Sequence, residues 1–195
     1  MRFLLLFAVA VFFSLPAQAQ DSYFNMREIE HSGLDSFPKW TNVIRKYPNP
    51  NSYAFASNME VLREQNFLQK LAIVNDWGNA YPYIEDIVNW GISDYWENPD
   101  EFMTVSGDCE DYAIAKYYFL KNLGVPIQKM RVIIVQDLNL GGIIHAILGV
   151  YATDGELMIL DNQSKEILPA LKIYHYFPIY GLNEENWWAY YPNNY

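Results

Sequence analysis

Apolar residues change their spacing twice along this chain. A run of mostly apolar residues, Phe3 to Leu15, opens it and is followed by a stretch rich in Pro, Asn, Ser and Tyr with little apolar period, residues 20 to 58. That stretch reads as an irregular arm with one short helix near Trp40 to Arg45. From Met59, Leu62, Phe67, Leu68, Leu71 and Val74 recur at steps of three and four, which predicts an amphipathic helix over 59 to 77 with Asn58 as its cap. After Gly78 and Asn79, the positions Ile84, Ile87 and Val88 predict a second helix closed by Gly91. The segment SDYWENPDEFMTVSGD reads as a loop or broken helix. Tyr112 to Leu123 has no Pro or Gly and predicts a helix that Gly124 and Pro126 stop, with Asp108 as a natural N-cap.

Beyond residue 130 the period becomes two. MRVIIVQD at 130 to 137, IIHAILGVYAT at 143 to 153, ELMILDNQ at 156 to 163 and KIYHYFPIY at 172 to 180 each alternate as strands do. Helices followed by an antiparallel sheet define an α+β fold. The aromatic end NEENWWAYYPNNY is expected to pack on the body. The domain is placed at 59 to 195.

The opening run is too short to cross a bilayer, which needs about 20 apolar residues. With Arg2 before it and Ala17-Gln18-Ala19 after it, it reads as a secretory signal peptide cut after Ala19. The expected mature chain is therefore exported and not inserted in a membrane. It carries 12 Lys+Arg against 23 Asp+Glu, since Arg2 is the one charge lost. A polyanion of this kind is repelled by nucleic acid and anionic headgroups, leaving proteins and cations as partners.

Exported domains use cysteines in pairs, yet this chain has one, in GDCEDYAIAK. Cys109 falls at the start of the helix predicted from about residue 110, where free N–H groups and the helix dipole favour a thiolate. The same residue could equally fill a core niche as a small hydrophobe. A nucleophilic thiol needs a base. His31 lies in the polar arm and reads as a surface residue, and His175, between two tyrosines, as a structural or surface ring. His145 interrupts an apolar strand, where a buried imidazole needs partners. Asp161, equally out of place in LMILDNQ, can supply one. A carboxylate on one ring nitrogen fixes the tautomer and leaves the other to take the thiol proton, the logic of nucleophile, base and orienter. A strict two-residue Asp154-Gly155 turn would put His145 and Asp161 on opposite faces, so the triad requires an odd-length turn or a bulge.

The run WGISDYWENPDEFMTVSGDCEDYAIAKYYFLKNLGVP, with RVIIVQD, HAILGVY and LMILDNQ, resembles the bacterial transglutaminase-like cysteine proteinases, the periplasmic LapG-type family. The resemblance covers residues 60 to 182. It implies a papain- or transglutaminase-like fold and a Cys-His-Asp triad at Cys109, His145 and Asp161. It also implies calcium held by Asp108 and Glu110. The cluster Asp108, Glu110 and Asp111 suits a cation that takes six to eight oxygens, although carboxylates at a helix start also serve the dipole without a metal. The family's members cut large surface adhesins near the N-terminus and are sequestered by an inner-membrane cyclic di-GMP receptor, which makes both the expected partners. The Cys109 N–H is an expected oxyanion donor, with the indole of Trp90 or Trp96 as a second. The alternatives are acyl transfer to an amine, and a calcium-stabilised peptide-binding module without activity.

Overall fold

The structure, a computed structural model, describes residues 23–47 and 59–193. The expected signal peptide, the cap at Asn58 and the rest of the stretch 48–58 lie outside the described residues.

Period-two patterning delivers the sheet. Strands β2 (Met130–Asp137), β3 (Ile143–Tyr151) and β4 (Leu157–Leu160) fall within the predicted segments, and β6 (Tyr176–Leu182) overlaps the segment predicted at 172 to 180 and runs two residues past it. Three more join them: β1 (Met26–Ser32), β5 (Leu168–Pro169) and β7 (Asn186–Pro192), giving an antiparallel sheet in the order β1-β7-β6-β2-β3-β4-β5. The aromatic end thus does more than pack on the body, because β7 is the strand between β1 and β6.

The residues expected as an irregular arm instead contribute to the domain. They supply β1 and helix α1 (Pro38–Lys46), which contains the expected Trp40 to Arg45 turn. Trp40 is fully buried, and its indole donates to the carbonyl of Asn183 at 2.7 Å, fastening α1 to the turn between β6 and β7.

The predicted helix 59 to 77 is two helices, α2 (Met59–Arg63) and α3 (Phe67–Asn79). The break is local chemistry. Asn66 accepts from the Gln69 N–H while the Gln69 side chain accepts from the Asn66 N–H, a capping box that starts a new helix. A similar box, Asn98 with Glu101, begins α5 (Pro99–Val105) inside the segment expected as loop or broken helix. The second predicted helix shrinks to α4 (Asp86–Asn89).

Helix α6 (Cys109–Asn122) is buried on nearly every side, as expected of a helix between two layers. Val132 and Ile134 of β2 and Leu148 and Val150 of β3 share its core. The alternate residues Ile133, Val135 and Ile147 join a second core on the other face with Ala170, Ile173 and Tyr190. Burial of each such Val, Leu or Ile side chain stabilises the fold by about 1.5–3 kcal/mol. The sheet therefore has two dry faces, and α6 rests on one with Cys109 at its leading end.

Candidate active site

The start of α6 is built by backbone economy. Asp111 folds back so that its carboxylate accepts the N–H of Asp108 at 3.0 Å and of Glu97 at 2.8 Å. A Cβ on Gly107 would stand 2.2 Å from that carboxylate, so only glycine lets the chain pass. Asp108 is the N-cap residue, as expected, and Cys109 is the first residue of the helix. Asp111, which the sequence places among the carboxylates that suit a cation, has both oxygens engaged in this closure.

Across the sheet, the turn between β3 and β4 has three residues. Ala152 donates to the Glu156 carbonyl and Leu148 pairs with Leu160, so facing positions share parity and His145 and Asp161 lie on one face. His145 is 2% exposed, and its Nε2 meets Asp161 Oδ1 at 3.0 Å, which leaves Nδ1 for a second partner. Asp161 also accepts the Gln163 N–H at 2.9 Å and the Tyr176 hydroxyl at 2.5 Å. Burial alone would raise its pKa, but the bond and charge of His145, the Tyr176 hydroxyl and the Gln163 N–H together hold it below the ordinary value.

Cys109 and His145 border the same cavity, about 480 Å³. Its walls include Phe37 and Trp40 from the N-terminal segment, with Trp96, Ile144 and Tyr180. Residues expected only as an arm therefore shape the site. His31 stacks on Trp187 and His175 lies against Tyr176, and neither borders the cavity.

The thiol departs from expectation in one respect. Cys109 Sγ donates to Glu110 Oε2 at 3.2 Å, and burial, then the Glu110 and Asp108 carboxylates, push its pKa up against the opposing Ala146 N–H. The helix start was expected to lower it. Burial, with two carboxylates within one residue of the sulfur, outweighs the partial charge of a helix end.

Those carboxylates belong to a larger group. The ligand atoms of Asp86, Asp94 and Glu110 lie within 4.8 Å of one another, as do those of Asp108, Cys109 and Glu110. Burial and the adjacent Asp108 raise Glu110 to about 9, and burial with Asp108 and Asp94 raises Asp86 to about 6. Asp86 Oδ1 and Asp108 Oδ1 are buried and have no hydrogen-bond partner among the described residues. Unpaired buried carboxylate oxygens are costly, and a cation is what such a cluster suits. Asp86, Asp94 and Tyr176 were not singled out from sequence: nothing in their spacing brings them to Cys109 or Asp161. The indole of Trp90, offered as a second oxyanion donor, is engaged with Glu97 Oε1 at 2.6 Å, whereas Trp96 remains on the cavity wall.

Residues 36–194 match the family described as bacterial transglutaminase-like cysteine proteinase BTLCP. Among solved structures the chain is similar to calcium-bound LapG of Legionella pneumophila, with 30% identity and a TM-score of 0.63 over 78% of this chain and 86% of that one. The EGTA-treated LapG gives 29% identity and a TM-score of 0.63, over 78% of this chain and 84% of that one. No curated protein matches the chain.

Proposed function

The chain belongs to the bacterial transglutaminase-like cysteine proteinases, and we propose that it is a calcium-dependent endopeptidase of the periplasm that cuts a large surface adhesin near its N-terminus. The observation that carries this reading is His145, held by Asp161 and bordering one cavity with Cys109. In this reading the cut releases the adhesin and disperses a biofilm, and an inner-membrane cyclic di-GMP receptor restrains the enzyme by sequestering it. No helix among the described residues is long and apolar enough to cross a membrane.

The chemistry follows from the free Nδ1 of His145. It takes the thiol proton, and Cys109 Sγ bonds to the scissile carbonyl carbon. The carbonyl oxygen gains charge and is held by the Cys109 N–H, whose place at the start of α6 adds the positive end of the helix dipole. His145 then gives the proton to the leaving amine, and the C–N bond breaks to leave a thioester on Cys109. Water, deprotonated by His145, attacks the thioester and restores the thiol. Asp161 remains ionised throughout, keeps the tautomer and stabilises the imidazolium.

Asp108 and Glu110, joined by Asp86 and Asp94, are the residues that would hold calcium, and the unpaired buried oxygens of Asp86 and Asp108 fit that role. A bound calcium ion supplies positive charge beside the thiol, opposing the carboxylates that otherwise disfavour the thiolate. The calcium-bound LapG supports calcium as the ion.

The test is incubation with the N-terminal segment of a co-encoded adhesin, in calcium, with and without an added primary amine. Hydrolysis at one peptide bond in both supports the reading. Incorporation of the amine without net hydrolysis would assign the thioester to acyl transfer instead, and binding without turnover would assign a peptide-binding module.

A further inference from the structure

Seven residues after Cys109, and so two turns along the same helix, α6 carries a lysine with no exposed surface. The amine of Lys116 donates to Asn75 Oδ1 at 2.8 Å and Asn79 Oδ1 at 2.6 Å, both on α3. With their oxygens drawn to the amine, the two amides turn their NH2 groups outward. Asn79 Nδ2 then donates to the backbone carbonyls of Asp161 at 2.9 Å and Ser164 at 3.0 Å, and Asn75 Nδ2 reaches the Ser164 carbonyl at 3.1 Å. The approach needs Gly78, where an added Cβ would stand 2.6 Å from Lys116 Cε.

This arrangement is an expensive way to fill space. Burying an amine costs stability that a methionine of similar length would not. What the amine adds is direction: it sets which way both amides face, and through them it holds the segment that begins with Asp161. One helix thus governs two parts of the site, the thiol at its start and the backbone of the orienting carboxylate two turns on.

We propose that Lys116 is a positioning residue for catalysis, acting through Asn75 and Asn79 to fix the segment Asp161–Ser164 and with it the bond between Asp161 and His145. The proposal rests on the triad reading. Lys116 itself does not border the cavity that Cys109 and His145 share.

The test reads the site without needing the natural substrate. Iodoacetamide labels Cys109, and the rate at neutral pH is followed by mass spectrometry for the wild type, Lys116→Met, Asn79→Ala and His145→Ala, with melting curves for each. The downfield proton of His145 Nε2–H is followed by NMR alongside. His145→Ala should slow alkylation, and Lys116→Met and Asn79→Ala should slow it by about tenfold while the downfield proton is lost or broadened, since small displacements of a catalytic group are costly. A clamp that served stability alone would lower the melting temperature and leave both readouts at wild-type values in the folded protein, which would overturn the proposal. Asn79 is only half buried, so Asn79→Ala decides the matter if Lys116→Met does not fold. Should His145→Ala alkylate like the wild type, the triad reading fails and this proposal falls with it; slowing in His145→Ala alone overturns only the positioning role.

Discussion

His145 and Asp161 face each other because the turn that separates their strands has three residues, Thr153, Asp154 and Gly155, rather than two. Side chains alternate along a strand, so the parity of that turn decides whether the two residues share a face. Deleting Thr153 to leave a two-residue Asp154-Gly155 turn should shift the β3–β4 register by one and separate the pair. The expected outcome is a folded protein, by circular dichroism, with no measurable peptide cleavage. Retained cleavage would show that the pair's alignment does not matter.

Asp161→Asn keeps the shape of the side chain and removes the charge that, in the proposed triad, holds the imidazolium and its tautomer. The turnover number is expected to fall by about 10³- to 10⁴-fold with KM little changed. A raised KM with turnover unchanged would point to a role in substrate binding instead.

Tyr176→Phe removes the hydroxyl bonded to Asp161 Oδ2 and so raises the Asp161 pKa from its depressed value. A depressed carboxylate contributes stability that is present above its unfolded pKa and is lost as pH falls through the folded one. The variant should therefore lose stability earlier on acidification, with the wild type's advantage greatest above pH 4 and shrinking below it. Thermal melts across pH 2–6 check this. At neutral pH the lost bond to a charged group should cost about 1.5–3 kcal/mol.

Calcium should act on stability with a sign that depends on the variant. In chelator, the wild type holds buried carboxylates that repel one another, so Asp86→Asn should melt at the same temperature or higher. In saturating calcium the order reverses, because a ligand bound only by the native state stabilises it by about 2.7 kcal/mol at a hundredfold excess over Kd. Chelation should also abolish cleavage by the wild type. Full activity in excess chelator would leave helix capping as the whole role of Asp108 and Glu110.

Lys116 gives a second pH signature. Burial lowers its amine to about 7, against the opposing charge of Asp161, while the unfolded chain titrates near 10.5. Between those values the unfolded state binds more protons, so this group makes stability rise with pH. The wild type should therefore gain on Lys116→Met from pH 7 to 10, read as the difference between denaturant midpoints. A constant difference would contradict the lowered amine.

Local periodicity made much of this legible. The strand patterns from residue 130 and the helix after Cys109 are short-range signals, and a lone thiol at a helix start and two polar residues within apolar strands stood out against them. Features that depend on distant contacts did not. Asp86 and Asp94 look like ordinary loop and helix-start acids until α4 and the segment after it bring them to Glu110. Tyr176 is one aromatic among several in KIYHYFPIY until its hydroxyl meets Asp161. The break at Asn66 was legible as an N-x-x-Q capping box, but the apolar period running through it obscured the signal. The raised thiol was not legible either, because it depends first on burial, which a helix-start position does not reveal, and then on the nearby Glu110 and Asp108.

The central claim is that Cys109 becomes covalently acylated during cleavage. Acid quenching of a reaction between the protein and an adhesin N-terminal segment, followed by peptide mass spectrometry, tests it directly. The account predicts the amino-terminal product fragment attached by thioester to the peptide containing Cys109, absent in Cys109→Ala, which cleaves nothing. Cleavage by Cys109→Ala at the wild-type rate, with no adduct on the wild-type protein, would contradict it.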